Sequence, residues 1–285
     1  MNWAKTNSSN GGGSSWDSLD DWGDSSGGGG GDKKWEPRRF YVPPEKGKRI
    51  MILGALDPNS GDWHADFCQV FEHNMYWKTK KSDKEMCLVK NGNLDSRGCP
   101  LCKAAEAGEG SWASFTGYLT VIDMGDVSYA PPPADRHTDA TLTGWTSDKG
   151  VTYQFDRKLY GAKRGGKDKP GVLKKLQREM QRTCIQASNG RQTLAFSVWD
   201  VYRSGRKTES VGDELQFMTQ LKNQDEAREY LIKCGADPEK LDLEVCNYLE
   251  MDTFKPSSYE DLARLVGMVE GDEEQGARSD EAVPF

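Results

Sequence analysis

Trp112-Ala-Ser-Phe-Thr-Gly-Tyr-Leu-Thr-Val-Ile-Asp-Met124, closed by Gly125, is the stretch whose reading decides the fold. It is apolar, aromatic and partly β-branched, so it reads as a strand. Similar runs lie on either side. Lys48-Arg-Ile-Met-Ile-Leu53 reads as a first strand, Ala65–Tyr76 as a second and Val151–Leu159 as one more. Thr193–Tyr202 (TLAFSVWDVY) and Glu214–Thr219 are two further strands, and Ser204-Gly205 between them suits a hairpin with a long loop. Ala130-Pro-Pro-Pro-Ala134 is a loop, because proline cannot donate to a ladder. Gly161–Gly171 (GAKRGGKDKPG) reads as a basic, glycine-rich loop.

Helical spacing is confined to a few places. Val172–Thr183 has apolar residues at 172, 173, 176 and 180 with Lys and Arg between them. Gln224–Cys234 is a helix ended by Gly235, Pro238–Leu249 reads as a second, and Ser257–Val269 as a third, capped by Ser257 or Ser258. Several short strands with few helices among them predict a mainly β, α+β chain. The expected architecture is an OB-fold barrel with an inserted zinc-binding subdomain and a few helices toward the C-terminus. The expected organisation is a flexible Gly/Ser/Trp arm at 1–35, a nucleic-acid-binding core at 36–222, a helical region at 223–269 and an acidic tail at 270–285. The arm holds nine Gly and seven Ser, too little apolar matter for a core, and is expected to be disordered. It also carries Trp3, Trp16, Trp22 and Trp35, an unusual content for a linker.

Cys99-Pro-Leu-Cys102 is the strongest local signal. A C-x-x-C turn brings two thiolates to one side, within reach of one tetrahedral Zn²⁺. Upstream lie His73 and Cys87, completing the set His73-x₁₃-Cys87-x₁₁-Cys99-x₂-Cys102. One imidazole and three thiolates fill all four positions, so the expected ion is structural rather than catalytic. Arg97-Gly98 supplies the flexible turn before Cys99. His64 and Cys68, four residues apart, are the alternative to His73. A redox pair is the other reading of C-x-x-C, but no βαβ pattern surrounds it. Cys184, Cys234 and Cys246 read as small core residues.

Beside the ligands runs Tyr76-Trp77-Lys78-Thr79-Lys80-Lys81. Rings interleaved with cations suit an unpaired strand, whose bases stack while its phosphates track the charges. Tyr118, Lys158, Lys163, Arg164, Lys167, Arg203, Arg206 and Lys207 extend the candidate surface. Phe67, Phe115, Phe155, Phe196 and Trp199 read instead as barrel core. No basic helix carries helix-turn-helix features, so duplex reading is not expected.

Charge is divided along the chain. Overall the 285 residues carry −7, but residues 1–32 carry −4, residues 33–208 carry +10 and residues 209–285 carry −13. A basic middle beside an acidic end points to a polyanion partner for the middle. The chain ends Ser279-Asp-Glu-Ala-Val-Pro-Phe285. Acids closed by a small apolar tip and a terminal Phe resemble the C-terminus of bacterial and phage single-stranded DNA-binding proteins. His73, Cys87, Cys99 and Cys102 within a basic, aromatic region resemble the T-even type of phage helix-destabilising protein. The resemblance touches residues 73–102 and the last fifteen. It implies coating and protection of single-stranded DNA, removal of its secondary structure and a structural zinc. It also implies recruitment of replication, recombination or repair proteins (polymerase, helicase loader or primase) through Asp280, Glu281, Val283, Pro284 and Phe285. The chain departs from that type in its acidic, glycine-rich arm, where a basic arm mediates head-to-tail binding.

An RNA-binding zinc/OB accessory of transcription or translation is the competing reading, since charge and rings serve either polymer. An enzyme is not expected: the G-x-x-x-x-G-K-[ST], H-E-x-x-H and G-x-S-x-G patterns are missing from the sequence. No run reaches the roughly 18 apolar residues of a membrane helix, and the polar N-terminus is unlike a secretory signal. A cytoplasmic protein is expected, in the bacterial host if phage-encoded, with reduced cysteines.

Overall fold

The structure is a computed structural model that describes residues 36–56, 63–64, 68–80, 84–92, 97–129, 140–147, 150–165, 170–186 and 192–268. The arm, the acidic tail, the three-proline loop, Lys81 and Lys167 lie outside the described residues. The described strands are β1 (Arg38–Arg39), β2 (Gly47–Leu56), β3 (Trp63–His64), β4 (Cys68–Asn74), β5 (Lys84–Met86), β6 (Ser114–Tyr129), β7 (Ala140–Thr143), β8 (Trp145–Thr146), β9 (Thr152–Tyr153), β10 (Asp156–Lys163), β11 (Ser197–Tyr202) and β12 (Glu214–Gln220). The helices are α1 (Tyr76–Thr79), α2 (Pro100–Glu106), α3 (Val172–Thr183), α4 (Gln224–Lys233) and α5 (Tyr259–Val266).

The decisive stretch is β6, the beam of the molecule. Along one edge it pairs with β10 through residues 116–123 and with β7 through residues 126–129. Along the other it pairs with β4 through residues 114–118 and with β2 through residues 120–126. The main path of the sheet runs β1-β10-β6-β2-β11-β12, and β8 with β9 forms a separate pair. The continuous apolar run of β2 reflects burial on both faces. Ile50 and Ile52 join Leu119, Val121, Leu159, Trp199 and Val201 on one side. Met51 and Leu53 join Ile122, Met124, Val198 and Met218 on the other. Helix α3 covers the first face with Val172, Leu173 and Leu176, and α4 covers the second with Ala227 and Leu231.

The sheet is not closed into a barrel. The free edge of β10 is taken at Lys158 and Leu159 by β1, which lies parallel to it, so β12 finds no partner there. Helix α3 packs against both β10 and β12 and spans the seam instead. Glu209, in the loop after β11, accepts the backbone N–H groups of Lys163 and Val172 and so ties that loop to the end of β10 and the start of α3.

Several segments differ from expectation. Val151–Leu159, read as one strand, is broken at Gln154-Phe155 into β9 and the start of β10, which belong to different sheets. Gly161–Lys163, read as loop, completes β10, because Gly161 is where the chain passes the buried Tyr118 ring. Pro238–Leu249 is not helical but runs extended into 3-10 turns at Tyr248–Glu250 and Asp252–Phe254. Leu241, Leu243 and Cys246 are buried while Asp242 and Glu244 face solvent. A period near two is that of extended chain. No helix of the described residues is long and apolar enough to cross a membrane.

A side chain at 161 would meet Tyr118 at 2.7 Å. Gly161→Val is therefore expected to cost about 1–3 kcal/mol by overpacking. Thermal unfolding checks this, with a fall in Tm of about 2–4 °C per kcal/mol.

Candidate metal centre and cationic surface

The chain between β2 and β6 builds a lobe whose core of Met75, Cys87, Leu88, Cys99 and Leu101 is completed by Leu262 of α5. His73 sits near the end of β4, just past the residues that pair with β6. Cys87 follows β5. Its N–H donates to the Phe71 carbonyl, and the Asn91 side chain donates to the carbonyls of both Phe71 and Cys87 while accepting from the Phe71 N–H. Cys99 is the residue before α2 and Cys102 lies in its first turn, with Pro100 opening the helix. Gly98 has φ +85°, a left-handed conformation that any side chain would strain, and it turns the chain into the knuckle.

Four donor atoms, His73 Nε2 and the Sγ atoms of Cys87, Cys99 and Cys102, lie within 4.8 Å of one another and could hold a metal ion. Cys87 Sγ is 3.6 Å from Cys102 Sγ, and His73 Nε2 is 3.7 Å and 3.6 Å from the sulfurs of Cys99 and Cys102. A tetrahedron with metal–sulfur bonds of about 2.3 Å and metal–nitrogen bonds of about 2.0–2.1 Å has edges of about 3.8 Å and 3.6 Å. The residues fit such an ion in both chemistry and spacing. His73 Nδ1 lies 2.9 Å from the Ser111 carbonyl. A carbonyl only accepts, so Nδ1 carries the proton and Nε2 presents its lone pair to the sulfurs.

Charge gives the same picture. The Cys99 thiolate is favoured by a hydrogen bond from Cys87, whereas the Cys87 thiol is pushed up by that same bond and Cys102 is pushed up by burial. Only one of the three sulfurs is thus favoured as a thiolate by the protein alone, and a cation among them would be needed for all three to ionise. Cys68 stands outside the cluster, its thiol pushed up to about 12 by burial, and the His64 side chain lies outside the described residues.

The expected nucleic-acid residues separate into three groups. Tyr76, Lys78 and Lys80 are exposed on α1, with Tyr76 at 58%, while Trp77 is half-buried under Gly110. Arg164, Arg206 and Lys207 are also exposed, and Lys163 is half-buried. Arg164 lies 5.7 Å over the Phe115 ring, which meets Phe71 edge-on at 5.3 Å, and Lys90 lies 5.4 Å over Phe71. This chain of rings and cations joins the metal lobe to the end of β10.

Three expected residues are corrected. Tyr118 is fully buried, its ring edge against Phe254 and its hydroxyl donating to Glu72 while accepting from Arg39, so it offers no face to a base. Lys158 is bound to Asp123 at 2.7 Å beside Lys48, in a buried ion group. Arg203 is 3% exposed and donates to the carbonyls of Val42, Arg206 and Thr208, which fixes the turn after β11. Low dielectric makes an unpaired buried charge costly, so these cations are committed to internal partners.

Two surface residues were missed. Trp112, 58% exposed, was absorbed into the strand reading, yet it precedes β6 and follows Ser111, whose hydroxyl donates to the Asn74 carbonyl beside α1. Lys90 lay outside any cluster in sequence and is brought to Phe71 only by the turn after Cys87. Scans against protein-family models, curated proteins and solved structures found no match to this chain.

Cys102→Ser removes one of four donors and should weaken divalent-metal binding at least tenfold, measured by competition with a chromogenic chelator. Metal should also be lost on acidification below neutral pH, as the donors take up protons. Glu72 gives a second acid response. Burial alone would raise its carboxyl, but Lys84, Arg39 and the Tyr118 hydroxyl outweigh this and hold it down to about 2. A carboxyl depressed by folding adds stability above its unfolded pKa of about 4.3 that fades as pH falls toward 2. Glu72→Gln should flatten that part of the stability–pH curve, followed by urea unfolding.

Proposed function

We propose that this chain binds single-stranded DNA along the ring-and-cation surface of its metal lobe, as a non-enzymatic coating protein. The observation that carries this reading is the exposure of Tyr76, Lys78 and Lys80 on α1 and of Trp112 before β6, together with the Lys90–Phe71–Phe115–Arg164 chain. Bases have π-faces that stack on such rings whatever their sequence, and phosphates follow the cations. Arg206 and Lys207, exposed in the loop that Glu209 ties to β10, extend the positive surface.

The strand order supports an OB-type framework. Counting β2, β6, β10, β11 and β12 as strands one to five gives the order 3-2-1-4-5, with α3 between the third and fourth. That is a five-stranded Greek-key arrangement left open between its third and fifth strands. The metal lobe is then an insertion between the first two strands. Zinc is the ion we assign to it, because three thiolates and an imidazole at tetrahedral edge lengths suit a soft, closed structural site. Bound zinc would neutralise the thiolates and fix β4, the Cys87 turn and α2 to one point; His73, Cys87, Cys99 and Cys102 would hold it. The acidic tail and its Phe285 tip are proposed, on the resemblance above, to dock replication or recombination proteins.

Titrating oligo-dT while following tryptophan emission tests the reading. Quenching is expected, with a log–log salt slope of about −0.7 per phosphate contacted. Lys78→Ala with Lys80→Ala should reduce that slope by about 1.4. Tyr76→Ala should cost about 1–3 kcal/mol of binding by lost stacking. Equal affinity for duplex, or an affinity indifferent to salt, would sink the proposal. A matched RNA oligomer in the same titration separates the two polymers.

A further inference from the structure

Helix α5 is remote in sequence from the cysteines, yet it completes the core around them. Leu262 is fully buried with Met75, Cys87, Leu88, Cys99 and Leu101. The elements that flank the cysteines hold the helix on several sides. Arg97, two residues before Cys99, lies 4.0 Å over the Tyr259 ring and pairs with Glu260 at 2.7 Å. Lys103, directly after Cys102, lies 5.9 Å from the same ring. Glu85, two residues before Cys87, is buried and accepts the Ser257 hydroxyl at 2.9 Å. Ser258 caps the helix and Gly267 ends it. At eight residues α5 is too short to persist in water without packing, since isolated helices below about 12–15 residues are marginal. Its stability therefore comes from the surface it sits on.

That surface is organised by the four donors. Cys87 and Leu88 of the turn and Cys99 and Leu101 at the start of α2 share a core with Leu262, and the sulfurs of Cys87 and Cys102 and the His73 imidazole meet beside it. We propose that the metal centre is the lock for α5: ion bound at His73, Cys87, Cys99 and Cys102 holds the helix on α2. Removal of the ion undocks the helix from which the acidic stretch 270–285 runs. The inference rests on the metal reading of the lobe and is independent of nucleic-acid binding. Coupling of this kind is reciprocal, so loosening α5 must also loosen the ion.

Amide hydrogen exchange on the full chain, metal-loaded and after chelation, tests it. The N–H groups of Leu262, Gly267 and Met268, bonded within and just after α5, should exchange about tenfold faster or more in the chelated protein. Those of Ala227 in α4 and Cys234 just after it, packed on the main sheet, should not change. Leu262→Ala should release metal to a chelator several-fold faster than wild type. Leu231→Ala, an equal truncation in the core under α4, should release it at the wild-type rate. Protection of α5 that survives chelation overturns the proposal, as does joint opening of α4 and α5, or a Leu262→Ala chain that keeps its metal as wild type does. A wild-type chain that takes up no metal overturns the metal reading itself. None of these readouts involves DNA, so a failure to bind oligo-dT is separately visible.

Discussion

The pairing of one strand, β6, with four others is the constraint on which the rest of the molecule depends. Its first half pairs with β4, which carries His73, and its second half pairs with β2, the centre of the main sheet. The metal lobe is thus an extension of the same hydrogen-bonded ladder and not an appendage on a linker. A shift of one residue in β6 would turn every side chain to the opposite face. It would take Tyr118 from its contact with Glu72 and carry Ile122 and Met124 out of their core together.

The same economy governs charge. The charged groups Glu72, Asp123, Lys48, Arg49 and Arg203 are buried, each within reach of a partner. Such groups fix geometry more than they add stability, because the cost of removing them from water offsets much of the attraction. They take anions as well as cations from the surface, Glu85 and Asp200 among them, so their burial leaves the positive balance of the middle in place. Among the described residues, the cations that stay exposed include those on α1, Lys90, Arg164 and Arg206 with Lys207 in the loop after β11.

Local pattern was enough for several elements. The apolar spacing of Val172–Thr183 gave α3 with its bounds; Ser257–Val269 reads as a helix capped by Ser257 or Ser258, and the structure caps it with Ser258 and ends it earlier, at Gly267. Pro238–Leu249 shows where such reading fails. It reads as a helix in sequence, whereas the buried Leu241 and Leu243 between exposed Asp242 and Glu244 follow the period of extended chain. Tyr118 was misplaced because a polar hydroxyl suggests exposure, whereas Glu72 and Arg39, both far away in sequence, satisfy it inside.

The sequence by itself narrowed the candidate donors to Cys87, Cys99, Cys102 and either His73 or the His64–Cys68 alternative, since C-x-x-C geometry is local; the tertiary structure brings His73 to the three sulfurs. The sequence also determined the β-rich class, because the strands announce themselves by composition. Only the tertiary structure decided which cations meet solvent, that β1 rather than β12 takes the edge of β10, and that α5 closes the metal lobe. Each of these depends on partners tens to hundreds of residues apart. Burial and pairing are properties of the assembled neighbourhood, and no window along the chain contains them.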